Sequence, residues 1–418
     1  MSRTLYDCPS ISRRITSTLL GAESLARAAF IASGTVSALV ALELTGNAAW
    51  AGVPSAVQQL SAAFAALLVG AVTERIGRRR GLALGLGAGV VGAGAASGAI
   101  VVGSWLLFLI GLAIMGVASA SMLLGRFAVA EVHPPERRGR AISRVVIGGA
   151  IGSVAGPLLV GPSGRLAQWA GIGELAGPYT AAMLIIAAAS LAVLTWLRPD
   201  PRDVGRKMAE KHPEPTLHHG SARSISQILR EPGALVAVVA MVFGSTVMIM
   251  LMVITSLYMK DHQHSLTDIS LVIAAHTLGM FAFSFLSGRL TDRWGRGPVI
   301  LSGAGLLVLA CTLAPLSPDV LPLSAALFLL GLGWNFCYVG GSALLSDQLS
   351  HAERAKTQGA NEWLLGVATA TASLGAGLVF ALTSFTTIGI LGAALALVPV
   401  GLTGWWLIRN RAPVAAWL

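Results

Sequence analysis

Charged side chains are scarce in this sequence. Asp, Glu, Lys and Arg make up only 11% of its 418 residues, whereas a soluble globular protein carries about 25%. The deficit runs along the whole chain and is interrupted only by short polar stretches. It excludes a water-soluble globular fold, because too few charged groups are present to cover the surface of one.

Other missing features exclude further classes of protein. The three cysteines, Cys8, Cys311 and Cys337, form no disulfide framework, and two of them lie in apolar runs as small packing residues. The sequence has no GxxxxGK[ST] loop, which disfavours transport driven by ATP bound to this chain. It has no basic stripe with interleaved aromatic residues, so nucleic acid is not an expected partner. We also expect no cofactor and no bound metal.

Long apolar runs are what the sequence does contain. Hydrophobic residues make up 55% of the chain, and runs of about 20 such residues are long enough to cross a bilayer as helices. Backbone polar groups in lipid must be satisfied within the segment, which favours helices over strands. The 49 glycines permit close helix packing. We therefore predict an all-α membrane protein with twelve transmembrane helices, among them 24–44, 141–162 and 267–291.

Basic residues give the expected orientation. Of the 29 Lys and Arg residues, 26 fall on one side of the predicted spans, and loops rich in these residues stay in the cytoplasm. Both termini are therefore predicted to be cytoplasmic, in a chain that crosses the bacterial inner membrane. The predicted organisation is a cytoplasmic N-terminal segment, a six-helix bundle, a cytoplasmic linker, a second six-helix bundle and a cytoplasmic tail, at 1–23, 24–197, 198–233, 234–408 and 409–418.

The two predicted bundles are related by an internal repeat. The residues 107–112 (LFLIGL) match 327–332 (LFLLGL) at an offset of 220, and the loop after the second span matches the loop after the eighth at an offset of 218. Both matches place a span on the span six positions later. The repeat predicts two pseudo-symmetric halves around a central substrate pathway, which is an architecture of secondary transporters.

The repeated loop resembles a motif of the major facilitator superfamily. That motif has Gly, three residues, an acid, Arg, any residue, Gly and then basic residues, and it fits residues 70–79 (GAVTERIGRR) and 288–296 (GRLTDRWGR). The resemblance implies the fold of that family and a charged latch on the cytoplasmic side. We expect the acid to favour a helix N-terminus and the arginines to pair with acids beyond the fourth and tenth spans. The expected gate residues are Gly70, Glu74, Arg75, Gly77, Arg78, Glu131, Gly288, Asp292, Arg293, Gly295, Arg296 and Asp347.

Helix five carries a second resemblance. Residues 152–161 (GSVAGPLLVG) are similar to a pattern of the drug–proton antiporter branch, with a smooth face of small residues and a helix-bending proline. Its motif residues are Gly152, Gly156, Pro157 and Gly161. The sequence departs from that branch in helix four, where Leu112 replaces the usual Arg and Arg126 lies nearer the cytoplasm, close to Glu131.

Polar residues deep in a span are functional candidates, because burying them in lipid is costly. His276 is the strongest single candidate, since histidine titrates nearest neutral pH and the repeat places it opposite Gln58. An imidazole bonded to a neighbouring helix is the structural alternative. Glu362 lies one or two turns from the cytoplasm and carries either a proton or an ion pair of the inner gate. The other candidates are Gln59, Trp334, Asn335 and Glu43.

An apolar pathway with few ionisable groups suits neutral, lipophilic or weakly cationic solutes. The resemblance to the drug–proton antiporters implies exchange for protons, so the predicted function is proton-coupled export of amphipathic compounds by alternating access. The expected protein is a monomer, is not an enzyme, and has the bilayer, a small-molecule substrate and protons as partners. Three alternatives stay open: uptake of a vitamin-like metabolite, a non-transporting sensor, and a membrane-embedded serine hydrolase that uses Ser163 with His276 as base.

Overall fold

The computed structural model describes residues 9–211 and 223–411. Eleven helices in this part of the chain are long and apolar enough to cross a membrane, or twelve when a bent pair around residue 67 counts as one span. The twelve-helix prediction is confirmed on that count. Residues 1–8, 212–222 and 412–418, which include parts of the predicted N-terminal segment, linker and tail, lie outside the described residues.

The chain divides into two compact units. The first comprises Met1–Gly46 and Val57–Thr216. Its helices are α1 (Pro9–Thr45), α2 (Val53–Ile76), α3 (Arg78–Val101), α4 (Trp105–Glu131), α5 (Pro135–Leu158), α6 (Val160–Trp169), α7 (Ala176–Trp196) and α8 (Pro201–Lys211). In this unit α1 packs against α4, α5 and α7, and α3 packs against α4 and α7.

The second unit comprises Asn47–Ala56 and Leu217–Leu418. Its helices are α9 (Ile225–Arg230), α10 (Pro232–Asp261), α11 (Leu266–Phe281), α12 (Ser284–Arg293), α13 (Arg296–Leu313), α14 (Val320–Asp347), α15 (His351–Leu382) and α16 (Phe385–Arg411). Residues 47–56 group here rather than with the predicted 24–197 bundle. They do so because the Ser373 hydroxyl on α15 donates to the Gly52 carbonyl at 2.9 Å.

Helix α1 begins at Pro9, well before the predicted start at residue 24. Ile15, Leu19 and Ala22 are almost fully buried and share one helix face. The Ser and Thr residues between them, with Arg13 and Arg14 just before Ile15, lower the local hydropathy, so this part of the helix does not form an apolar run. With 37 residues, α1 is about 55 Å long at about 1.5 Å per residue. It therefore projects beyond a hydrocarbon core of about 30 Å.

Two predicted spans are interrupted in the structure. The predicted span 141–162 is divided between α5 and α6 at Leu159, after Pro157, which has no N–H to continue the helical hydrogen bonds. The predicted span 267–291 is divided between α11 and α12. There the Asn335 side-chain amide donates to the Met280 carbonyl at 2.7 Å and to the Ser284 hydroxyl at 3.0 Å. Insertion of a side chain into a helix ladder is a recognised cause of such breaks.

The small-residue motif of α5 packs against α1. A Cβ atom at Gly152 would lie only 2.0 Å from the Ser24 carbonyl oxygen, and one at Gly156 would lie 2.6 Å from that of Ala28. The Ser24 hydroxyl donates to the Gly148 carbonyl at 2.6 Å. The two backbones are therefore in contact, and the lack of side chains on α5 is what permits that contact.

We predict that Gly152→Ala lowers the free energy of unfolding of the purified protein by about 1–3 kcal/mol, the usual cost of overpacking. Its melting temperature should fall accordingly. The added methyl group must push α5 away from α1, because its nearest neighbours are backbone atoms. The matched control is Gly139→Ala on the same helix, where a Cβ has open space. Equal melting temperatures for the two variants in detergent would contradict this packing argument.

Candidate functional site

The loop between α2 and α3 is built around Gly77 and Asp200. Gly77 precedes α3 with φ of 94°, a conformation that favours glycine. The Asp200 carboxylate accepts the backbone N–H groups of Arg78 and Arg79, each at 3.1 Å. A Cβ at Gly77 would lie 2.6 Å from the Asp200 carboxylate. Asp200 thus caps the positive end of the α3 dipole, the role expected of Glu74, which is exposed in the last turn of α2.

Arg78 joins the beginning of α3 to the end of α4. Its guanidinium makes a two-pronged pair with the Glu131 carboxylate, with Nε–Oε2 and Nη2–Oε1 distances of 3.2 and 2.6 Å. This geometry is the strong form of an Arg–carboxylate interaction. Arg79 instead donates to the Leu194 carbonyl, and Arg75 is exposed.

The second unit repeats this arrangement. Gly295 precedes α13 with φ of 89°, and Arg296 donates to Asp347 at 2.9 Å and to Asp292 at 3.3 Å. Arg293 is exposed. We call the helix ends around Gly77 and Gly295 the basic end of each unit. The motif glycines Gly70 and Gly288 have open space beyond a Cβ position.

A further acid of the basic end, Glu353, binds the part of the linker that the structure describes. Its carboxylate accepts from the Arg223 guanidinium at 2.8 and 3.0 Å, and also from the backbone N–H groups of Arg223 and Ser350. The side-chain hydrogen bond from Arg223, followed by the backbone hydrogen bond from Ser350, holds the pKa of Glu353 far below its usual range. The same side-chain bond raises the pKa of Arg223.

We predict that Glu353 stabilises the fold above the unfolded-state pKa of about 4.3. Because the folded-state pKa is depressed, this stabilisation is lost as the pH falls below that value towards the folded pKa. The melting temperature of wild type should exceed that of Glu353→Gln by a constant amount above about pH 5.5, and this difference should narrow steadily as the pH falls from about 4.3 towards 3. A difference that stays constant across this range would show that the charge of Glu353 does not matter.

A third charge cluster lies within the first unit and was missed in the sequence. Glu23 on α1 is only 1% exposed, and its Oε1 lies 3.1 Å from Arg27 and 3.4 Å from Arg126 on α4. Glu23 and Arg126 lie about 33 and 31 Å from the far ends of their helices at about 1.5 Å per residue. That distance is about one hydrocarbon thickness. The cluster is therefore at the edge of the apolar layer nearest the basic end.

This cluster has unused hydrogen-bonding capacity. The Glu23 Oε2 and Arg126 Nε atoms are buried and have no partner among the described residues. The carboxylate lies beside Gly149 on α5, where a Cβ would come within 3.1 Å of Glu23 Oε1. A narrow cleft between α1 and α4 adjoins the carboxylate and is lined by Ala26, Phe30, Ser119 and Met122. Glu23 is therefore a buried acid beside a narrow cleft, and two cations hold it in place.

The spacing of Glu23 and Arg27 was the available signal for this cluster. Residues four apart share a helix face, so an acid–Arg pair there belongs to a helix that starts before residue 24. The predicted first span begins at residue 24 and so leaves Glu23 outside it. The sequence also predicts Arg126 beside Glu131, whereas the structure pairs Arg126 with Glu23.

The His276 side chain is buried and bonded to a neighbouring helix. Its imidazole is 1% exposed, and Nδ1 lies 2.9 Å from the Leu327 carbonyl on α14. Nε2 has no partner among the described residues. This geometry is that of a ring bonded to a neighbouring helix. Its repeat partner Gln58 and the adjacent Gln59 are half-buried on α2, where a Cβ at Gly116 on α4 would lie 2.8 Å from the Gln58 carbonyl.

The structure brings three of the other candidates into one region of the second unit. Trp334 and Asn335 are adjacent on α14, and the Tyr338 hydroxyl one turn later donates to Glu362 on α15 at 2.9 Å. Glu43 is exposed near the end of α1. The Ser163 hydroxyl donates to the Val160 carbonyl within its own helix at 3.1 Å.

Long apolar helices in two repeated units, with paired charges at one end of each unit, define a multi-pass membrane transporter. The Major Facilitator Superfamily matches residues 19–257 and again residues 236–416. The chain belongs to the Major Facilitator Superfamily and is a secondary transporter.

Relatives of this chain include transporters whose names indicate different substrates. It is 34% identical to the MFS-type transporter YdeG of Bacillus subtilis, over 90% of this chain and 88% of that protein. It is 30% identical to the riboflavin transporter RfnT of Brucella anthropi, over 88% and 89%. It is also 34% identical to the multidrug resistance protein MdtL of Escherichia coli, over only 23% and 25%.

A solved structure has the same fold. The nucleoside transporter NupG superposes with a TM-score of 0.65 at 15% identity, over 93% of this chain and 98% of that chain. At this identity the likeness concerns the fold alone.

Proposed function

We propose that this transporter exports amphipathic organic compounds in exchange for protons, and that Glu23 is the proton-carrying group. The observation that carries the proposal is the buried Glu23 carboxylate, which has two arginines on one oxygen and no partner among the described residues on the other. Ionisable groups inside a transporter's helices are costly to bury and are used for coupling.

Protonation of Glu23 would act directly on the packing of the first unit. An ionised Glu23 holds Arg27 and Arg126, so α1 and α4 are tied together by charge. A proton on the carboxylate removes that attraction and leaves Arg126 without its acid, which is unfavourable in a low-dielectric site. Proton binding and release therefore shift the balance between two arrangements of α1 and α4, as alternating access requires.

The charged pairs at the basic end supply the second element of the proposal. Arg78–Glu131 and Arg296–Asp347 each fasten the beginning of one span to the end of another. We assign this end to the cytoplasm on the strength of its basic loops, and we assign these pairs the role of a latch that opens once per cycle. Neither pair is fully buried, so the cost of breaking one is small.

We predict that Glu23→Gln reduces substrate movement driven by a pH gradient by at least about tenfold in proteoliposomes, as for loss of an essential proton acceptor. Exchange of labelled for unlabelled substrate without a gradient should persist, because it needs no net proton transfer. Glu43→Gln, on the same helix but exposed, tests the alternative acid and should keep gradient-driven transport.

The same assay separates Glu23 from His276. His276→Ala should lower the melting temperature, since it removes the bond to Leu327, while the surviving protein keeps its pH dependence. Loss of coupling in His276→Ala together with full coupling in Glu23→Gln would assign the proton to His276 instead.

For the latch, we predict that Glu131→Gln slows turnover by about two- to fivefold, as expected for loss of a partly exposed ion pair of about 0.5–1 kcal/mol. Equilibrium binding of substrate should be unchanged, and Glu131→Asp should restore part of the rate. Asp347→Asn should behave in the same way for the second unit. A changed binding constant with an unchanged turnover rate would show that these acids contact substrate rather than the latch.

Uptake of a vitamin-like metabolite is the second candidate. The relative that favours it is RfnT, a riboflavin transporter matched over most of both chains, whereas MdtL is matched over less than a quarter of this chain. Riboflavin accumulation by cells that express this chain would favour uptake, and accumulation only in inverted vesicles would favour export.

A further inference from the structure

Three aromatic side chains of the second unit form a stacked cluster. Trp334 and Tyr338 lie one turn apart on α14, so they share a helix face. Their rings are nearly parallel, with a centroid distance of 5.1 Å and an interplanar angle of 24°. Phe281, the last residue of α11, meets Trp334 edge-on at 6.3 Å and 71°. This is the offset and edge-to-face geometry that aromatic groups prefer.

Hydrogen bonds fix the orientation of the two larger rings. The Trp334 indole N–H donates to the Ser245 hydroxyl on α10 at 3.0 Å, and the Tyr338 hydroxyl donates to Glu362 on α15 at 2.9 Å. Both rings are only half-buried. The cluster is therefore a rigid aromatic platform whose polar atoms are already satisfied and which keeps part of its surface accessible.

Glu362 adds a negative charge at the edge of this platform. It is exposed, and only its Oε1 has a hydrogen-bond partner among the described residues. The large exposed apolar side chains of α15 lie about 100–160° around the helix from Glu362 at about 100° per residue. They are Trp363, Leu364, Leu374, Leu378 and Leu382. These apolar side chains mark the side of α15 that faces lipid. An ionised carboxylate would be too costly on that side. Glu362 therefore points away from the lipid-facing side of α15.

The cluster also adjoins the break between α11 and α12. Phe281 is at the break, and Asn335, next to Trp334, bridges it through Met280 and Ser284. In transporters, irregular backbone within a span occurs where it is covered by protein or lines a cavity, and interrupted helices commonly contribute to the substrate site. The break, the rings and the carboxylate come from three different spans and meet in one place.

We propose that this cluster is a binding site for planar aromatic compounds that carry a positive charge. The aromatic ring of the ligand extends the Trp334–Tyr338 stack, and its cationic group pairs with the free oxygen of Glu362. Aromatic faces also attract cations, which strengthens the same preference. The inference names a substrate class for the proposed transport and rests on that function for its role, although the binding step itself needs no proton gradient.

The test is equilibrium dialysis of the purified full-length protein in detergent, without a gradient, against two probes. Ethidium is a planar aromatic cation, and phenanthridine is its uncharged ring system at pH 7.5. Wild type should bind ethidium more tightly than phenanthridine. Glu362→Gln should weaken ethidium by about tenfold and leave phenanthridine unchanged, as for loss of one charge contact. Trp334→Ala should weaken both probes, as for loss of a stacking surface.

Two further variants keep the outcome interpretable. Trp334→Phe preserves a ring and should retain more of both affinities than Trp334→Ala, even if the alanine variant folds poorly. Trp363→Ala, on the lipid-facing side of α15, should bind both probes as wild type does. Wild-type affinity in Trp334→Ala and Glu362→Gln, or equal losses of both probes in Glu362→Gln, would overturn the proposal. Failure of Glu23→Gln in the coupling assay leaves this equilibrium result unaffected, so the two proposals can fail separately.

Discussion

An ionised group in or beside the hydrocarbon must have a partner, and this requirement organises both units. Water solvates such a group strongly and an apolar surrounding does not, so a single unpaired charge costs several kcal/mol. Glu23, Glu131, Asp347 and Glu353 accordingly each accept a hydrogen bond from an arginine. Each pair joins two segments that are distant in the sequence or fixes one helix end. The few charged groups of the chain therefore hold its segments together as ion pairs, and the proposed cycle consists of breaking and re-forming these pairs.

Close backbone packing sets the position of Glu23, the buried acid of the first unit. Because Gly148, Gly152 and Gly156 carry no side chains, α1 lies directly against α5, and this contact fixes the rotation of α1. That rotation turns Glu23 away from lipid, towards Gly149 and Arg126. The motif that resembles the drug–proton antiporters thus has a definite consequence here: it is the surface against which the candidate proton carrier is positioned. Packing and coupling are properties of the same helix pair.

The two units match at the basic end and differ in the polar and aromatic clusters within their spans. Gly77 and Gly295 have the same unusual backbone conformation, and Arg78 and Arg296 each bind an acid at the end of another span. Within the spans the units differ, since the buried Glu23–Arg126 pair belongs to the first and the Phe281–Trp334–Tyr338 cluster to the second. Duplication explains the shared charge pairs, and divergence within the spans leaves room for the different roles that we propose for the two units.

The sequence by itself determined the helical membrane fold, the two halves and the glycines of both loops, because hydropathy, backbone satisfaction in lipid and positive-φ turns are local properties. Tertiary structure alone decided which charges meet. Glu23 and Arg126 are 103 residues apart, Asp200 rather than Glu74 caps the beginning of α3, and the His276 ring bonds to the Leu327 carbonyl. These contacts depend on the rotation and depth of each helix against its neighbours. Rotation and depth follow from close packing between helices, which hydropathy along one helix does not specify.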